Sequence, residues 1–181
     1  MSLADGYYHE SVESFTRSNL YCLDASDAAV KQDPLERYLS ILESFDRTKL
    51  SDLCACVSED VQFVDPFNNV QGRCAYKAIF LDMLKHLENH RFRVTALAWT
   101  DNELDDGDKV AFIKWELQAK LPQLSNIKWD VSGCSELRVS SAGLITAHFD
   151  YWDASQSLYE KLPFIGWLFR FLRQRLETRQ K

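Results

Sequence analysis

The stretch Gly143 to Asp153, Gly-Leu-Ile-Thr-Ala-His-Phe-Asp-Tyr-Trp-Asp, constrains the fold more than any other part of the chain. Read as a strand, it sends its side chains alternately to two faces. Thr146, His148, Asp150 and Trp152 fall on one face, and Ile145, Ala147, Phe149 and Tyr151 on the other. A strand with one wet face needs only one row of core residues. An imidazole, a carboxylate and an indole on the opposite row therefore point to burial on both sides. The apolar row is expected to pack on protein, and the polar row to line a pocket.

The preceding chain says what this strand closes. Asp33 suits a helix N-cap and Pro34 the first helical position. Leu35, Tyr38, Leu39, Leu42 and Phe45 then recur at helical spacing. A short helix is predicted over 49–57, and a strand over 60–65 that Pro66 ends. Residues 67–72 read as a loop, and 73–88 as a helix with Ala75, Ile79, Met83 and Leu87 on one face. The period then changes from helical to strand-like. Strands are predicted over 92–99, 109–121 and 127–139, with an Asp106-Gly107 turn in an acidic loop at 101–108. Ser140 to Gly143 form a tight turn into the closing strand. Helices followed by four meandering strands predict an α+β fold with an antiparallel sheet. Residues 1–32 read as an N-terminal arm, 33–153 as the domain proper and 154–181 as a C-terminal helical extension.

Composition narrows the function classes. A net charge of -6 excludes a general nucleic-acid binder. No apolar run is long enough to span a bilayer, and the N-terminus has neither the basic nor the apolar region of a signal peptide. The five cysteines show no zinc-site spacing and read as reduced thiols of a cytoplasmic protein. The acidic loop lacks the glycine and glutamate placement of a calcium loop. No metal or other cofactor is expected.

Two stretches resemble a known family. Val61-Gln62-Phe63-Val64-Asp65-Pro66, followed by Gly72 and a helix, is similar to the first strand and loop of nuclear transport factor 2-like proteins, the superfamily of ketosteroid isomerases and SnoaL-like polyketide cyclases. Leu137 to Trp152 resembles their closing hairpin. The resemblance covers roughly residues 34–153 and implies a cone, a bent sheet wrapped around helices with a pocket between. By position it makes Asp65 the match of the isomerases' catalytic base. His148-Phe149-Asp150 is similar to the His-aromatic-Asp of the cyclases, where the aspartate is the acid/base. The isomerases' oxyanion donors, a tyrosine and a protonated aspartate, are met here by Ile41 and Ser135, with Tyr38 one turn before Ile41.

Asp65, His148 and Asp150 are thus the catalytic candidates, and Tyr38, Phe63, Trp129, Ser135 and Trp152 the ligand-binding ones. Asp65 has two readings: a general base in the mouth of the cone, or a side chain that bonds loop amides and shapes the Asp-Pro turn. His148 and Asp150 form either an acid/base pair or a buried pair that satisfies itself. The expected ligand is small and apolar or cyclic, and the protein is either a cofactor-independent isomerase or cyclase, or a non-catalytic binder. A homodimer is expected if Ile113, Trp115 and Leu117 join Ile145, Ala147, Phe149 and Tyr151 in one outer apolar patch. The tail from Leu168 to Lys181 is basic and amphipathic. It is expected either to pack on its own domain or to make weak contact with a membrane surface or partner.

Overall fold

The computed structural model describes residues 32–177 apart from 125 and 164, and only the backbone of 102. Residues 1–31 of the N-terminal arm, Cys22 among them, and Phe164, Arg179 and Lys181 lie outside the described residues. The elements follow the sequence's periodicity. Helix α1 (Pro34–Glu43) starts where Asp33 accepts hydrogen bonds from the Leu35 and Glu36 amides. It buries Leu35, Tyr38, Leu39 and Leu42. Helix α2 (Leu50–Ala55) follows a 3-10 turn at Arg47–Lys49 whose cap is Asp46. Helix α3 (Arg73–His86) completes the helical layer. Its most buried residues are Tyr76 and Phe80, while Ile79 and Met83 are half-buried, so its core stripe is rotated from the one expected.

The strands are β1 (Val57–Val64), β2 (Asn69–Gln71), β3 (Glu88–Glu103), β4 (Lys109–Leu121), β5 (Ile127–Val139) and β6 (Ile145–Trp152). They form one sheet in the order β2-β1-β6-β5-β4-β3. The short β2 lies in the segment expected to be a loop. The meander β3 to β6 is antiparallel throughout, and β2 pairs antiparallel with β1. The remaining pair, β1 with β6, is parallel. The sheet is therefore mixed: helix α3, between β2 and β3, carries the chain away, and β6 returns beside β1 in the same direction.

On β4, Ala111, Ile113, Trp115, Ala119 and Leu121 are buried while Phe112, Lys114 and Lys120 are exposed, a period of two broken only at the strand's start, where Val110 is buried beside Ala111. This inward row packs on the helices. It also corrects the expected dimer patch, because Ile113 and Trp115 belong to the core cluster and Leu117 packs against it. Ile145 joins that core as well, and the homodimer expectation loses the surface it rested on.

The closing strand departs from simple alternation at one point. Val139 pairs with Ile145 and Arg138 with Ala147, so Thr146 is an extra residue in β6, a β-bulge. The bulge puts Ile145 on the same inner face as His148, and Thr146 turns to hydrogen-bond the carboxylate of Asp108. Beyond it the expected parity holds for His148, Asp150 and Trp152, which pair with the inward Leu137, Ser135 and Gly133.

After β6, Asp153 caps helix α4 (Ala154–Ser157) through the Ser155 and Gln156 amides. A 3-10 turn at Tyr159–Lys161 leads to helix α5 (Gly166–Leu176). No helix among the described residues is long and apolar enough to cross a membrane.

Candidate functional site

Between sheet and helices lies a cavity of about 320 Å³. Its wall is chiefly apolar: Phe63 from β1, Phe80 from α3, Trp115 from β4, Trp129 and Val131 from β5, and Trp152 from β6. Asp65, His148 and Asp150 all reach it. Of the other ligand-binding candidates, Phe63, Trp129 and Trp152 line it. Tyr38 and Ser135 do not; both are fully buried behind the wall. Their positions on the inner side of α1 and β5 aim them at neighbouring side chains rather than at the cavity.

Those neighbours are His148 and Asp150. The Tyr38 hydroxyl lies 2.7 Å from the Tyr76 hydroxyl and 2.7 Å from His148 Nδ1. His148 Nε2 lies 2.9 Å from Asp150 Oδ1. Ser135 donates to that same oxygen, and Trp115 Nε1 donates to Ser135 Oγ over 2.7 Å. Six side chains from five elements thus form one continuous hydrogen-bonded chain. Trp115 can only donate, and a carboxylate only accepts. Burial pushes the hydroxyls of both Tyr38 and Tyr76 upward from the ordinary tyrosine range, so both keep their protons. The arrangement that uses every hydrogen has Tyr76 donating to Tyr38, Tyr38 to Nδ1, and a neutral His148 donating from Nε2 to Asp150. Both arms of the chain then end on Oδ1 of Asp150. Oδ2 is left as the carboxylate oxygen with no protein donor among the described residues.

A pH prediction follows from the two tyrosines. Their folded values lie above the ordinary value of about 10, so between that pH and the folded values the unfolded chain loses protons that the native protein keeps. Stability is fully present below about pH 10 and falls as pH rises further, by about 1.4 kcal/mol per pH unit for each such tyrosine. Denaturant unfolding followed from neutral to alkaline pH, with tyrosinate absorbance recorded alongside, is expected to show two tyrosines ionising only on unfolding. Full tyrosinate absorbance in a protein still folded would contradict it.

Asp65 bonds its own loop. Its Oδ1 accepts from the Phe67 and Asn68 amides, both at 2.7 Å, and the Asn68 side-chain amide bridges both carboxylate oxygens at 3.0 Å. The aspartate holds the loop that carries Phe67 to the mouth, where the ring meets Trp152 edge-on at 5.2 Å. Trp152 also stands edge-on to Trp129 at 5.5 Å. Trp129 Nε1 is buried with no hydrogen-bond partner among the described residues. An unpaired buried donor is costly, and a ligand acceptor reaching it would relieve the cost.

Several contributors escaped the sequence reading. Tyr76 ends the hydrogen-bonded chain, and its signal was its i, i+4 spacing to Phe80 on α3. Gly133 gives the Trp115 ring its place, since a Cβ there would lie 2.8 Å from Cη2 of the indole. His90, on the cavity's rim, bonds the Phe45 carbonyl at 2.8 Å. No group of three or more His, Cys, Asp or Glu among the described residues could hold a metal ion.

Known proteins place this architecture. The family model of the SnoaL-like domain matches residues 35–148. No curated protein matches the sequence. Among solved structures, a protein with a ketosteroid isomerase-like fold from Catenulispora acidiphila, in complex with trimethylamine, superposes with a TM-score of 0.57 at 17% identity, covering 73% of this chain and 95% of its own. A Mycobacterium tuberculosis protein in complex with estradiol-17beta-hemisuccinate gives 0.52 at 17% identity, over 66% of this chain and 91% of its own. The epoxide hydrolase/cyclase-like enzyme SalBIII, of pyran ring formation in polyether salinomycin, gives 0.54 at 12% identity, over 66% and 88%. The shared feature is the nuclear transport factor 2-like fold.

Proposed function

The chain belongs to the SnoaL-like domain family, and on that premise we propose that it binds a small apolar or cyclic carbonyl compound and moves a proton on it with Asp150. The observation that carries this reading is the buried chain of hydrogen bonds converging on Oδ1 of Asp150, with the carboxylate itself on the cavity wall. Oδ1 is held by Ser135 and His148, so Oδ2 is the oxygen that takes a proton from the carbon next to the carbonyl and returns it to the isomerised product. A carboxylate beside an apolar wall is suited to this work. His148 and Ser135 orient the carboxylate, Tyr38 sets the imidazole's tautomer, and Asp65 shapes the mouth. The cavity falls in the size range of small-molecule sites. The ligand held by the Mycobacterium tuberculosis protein, a steroid derivative, is cyclic as the proposed compound is.

A second reading, a binder without chemistry, has its own observation. The positions matching the isomerases' oxyanion donors hold Ile41, an alkyl side chain, and Ser135, whose hydrogen goes to Asp150. The unpaired indole N–H of Trp129 is a donor on the cavity wall that could meet an enolate oxygen. One experiment separates the readings. The protein is incubated with a panel of cyclic ketones in deuterated water, and deuterium at the carbon next to the carbonyl is measured by mass spectrometry, beside binding of the same ketones. Asp150→Asn is expected to slow the exchange by about 10²–10⁴-fold while leaving binding largely intact. Binding with no exchange above buffer would make the protein a binder, and equal exchange in the variant would remove Asp150 from its role.

A further inference from the structure

Helix α5 is mounted with its faces reversed. An amphipathic helix ordinarily packs its apolar stripe and leaves its cations to water. Here the side turned to the protein carries Arg170 and Arg173. Arg173 makes a two-pronged ion pair with Glu160, at 2.7 and 3.1 Å, and Arg170 donates to the Glu160 carbonyl. Gly166 allows the approach, since a Cβ there would run into the same Glu160 backbone. The Phe169 ring lies tilted against Tyr159 with ring centroids 5.2 Å apart. The opposite side carries Trp167, Leu168 and Phe171, which are 62%, 41% and 44% exposed, and at its edge Leu172, 50% exposed, which also borders a groove against Asp153, Ser155 and Gln156. Arg175 lies on that outward side with its guanidinium over the Phe171 ring at 4.9 Å.

The charge is segregated in the same way. Residues 161–181 hold six basic side chains and one acidic one, a net +5 in a chain of net -6, so the other 160 residues carry -11. An exposed row of aromatic and leucine side chains, with a cation lying along it, matches the interface of an anionic bilayer. Apolar groups enter the acyl boundary there while arginines reach the headgroups. Each basic residue near such a surface contributes about 1 kcal/mol. A second copy docked ridge to ridge would instead bring two net-positive segments together.

We propose that α5 is a docking helix for anionic membrane surfaces. The ion pair with Glu160 holds its arginine side on the domain so that the Trp167–Phe171–Leu172 ridge faces outward. The platform beneath it is also the edge of the cavity: Leu158 lines the cavity, and Tyr159 lies 6.3 Å, between ring centroids, from Phe67 at the mouth.

Co-sedimentation of the full chain with phosphatidylcholine vesicles, with and without phosphatidylserine, tests the proposal. Binding is expected with the anionic vesicles, decreasing as salt rises, and little with the neutral ones. Replacing two exposed side chains, Trp167→Ser with Leu172→Ser, is expected to weaken binding roughly tenfold or more, with circular dichroism unchanged. Arg175→Glu is expected to weaken anionic binding selectively. No binding to anionic vesicles, or equal binding to both kinds, would overturn the proposal. So would a concentration-dependent dimer, abolished by the double variant, in a protein that ignores lipid.

Discussion

Replacing Tyr38 by Ala is expected to destabilise the protein by about 3–5 kcal/mol, the range for deleting a buried aromatic ring. The side chain is fully buried, with its hydroxyl between Tyr76 and His148. The loss is a large share of the roughly 5–15 kcal/mol that holds a typical domain folded. Tyr38→Phe separates packing from hydrogen bonding. It keeps the ring and removes one oxygen, leaving the Tyr76 hydroxyl and His148 Nδ1 without their partner, at a cost of about 1–3 kcal/mol. The measurement is urea unfolding of both variants and the parent. A Phe variant as stable as the parent would mean the chain of hydrogen bonds adds nothing to stability. Nitrogen-15 NMR of the imidazole supplies a second readout, because the Nε2–H tautomer expected in the parent loses its enforcing donor in Tyr38→Phe. An unchanged tautomer would place its control with Asp150 alone.

Gly133→Ala is the second large effect, and its cause is steric. Gly133 pairs with Trp115 on β4 and with Trp152 on β6, on the inner face of the sheet. The Trp115 indole lies across it, with Cη2 2.8 Å and Cε2 2.9 Å from where a Cβ would stand. The ring has backbone beneath it and core beside it, so it must turn out of its pocket. Overpacking of this kind costs about 1–3 kcal/mol. The displaced indole also gives up its hydrogen bond to Ser135, for about 1 kcal/mol more. Ser135 in turn holds Asp150, so the change reaches the proposed proton-moving group without touching it. Thermal unfolding and near-ultraviolet circular dichroism of the tryptophans are the measurements. Gly107→Ala serves as the comparison. That residue has φ +84° and nothing within 4 Å of a Cβ, so only backbone strain of about 1–2 kcal/mol is expected, with the tryptophan signal unchanged. Equal losses and unaltered spectra in both variants would argue against the ring clash.

The sequence by itself determined what is local. The Asp33-Pro34 start of α1, the limits of β4 and β5, and the turn at Gly143 follow from capping, period-two alternation and backbone freedom, and the fold has them where the residues put them. The inward direction of His148, Asp150 and Trp152 was legible for the same reason. Tertiary structure decided the rest. A single extra residue at Thr146 moved Ile145 into the core, because register depends on the partner strand and not on the strand's own pattern. Tyr38 and Ser135, read as pocket residues, stand behind the wall because the packing of α1 and β5 puts His148 and Asp150 in front of them. That Asp65 bonds the amides of its own loop while also reaching the cavity was visible only in the three-dimensional distances. In α5 the apolar stripe was plain in the sequence, but its direction was not. That direction was set by Glu160, a residue six positions before the helix, whose carboxylate draws Arg173 inward and leaves the ridge outside. Periodicity names the faces of an element, and only the charges and contours of its neighbours choose which face they cover.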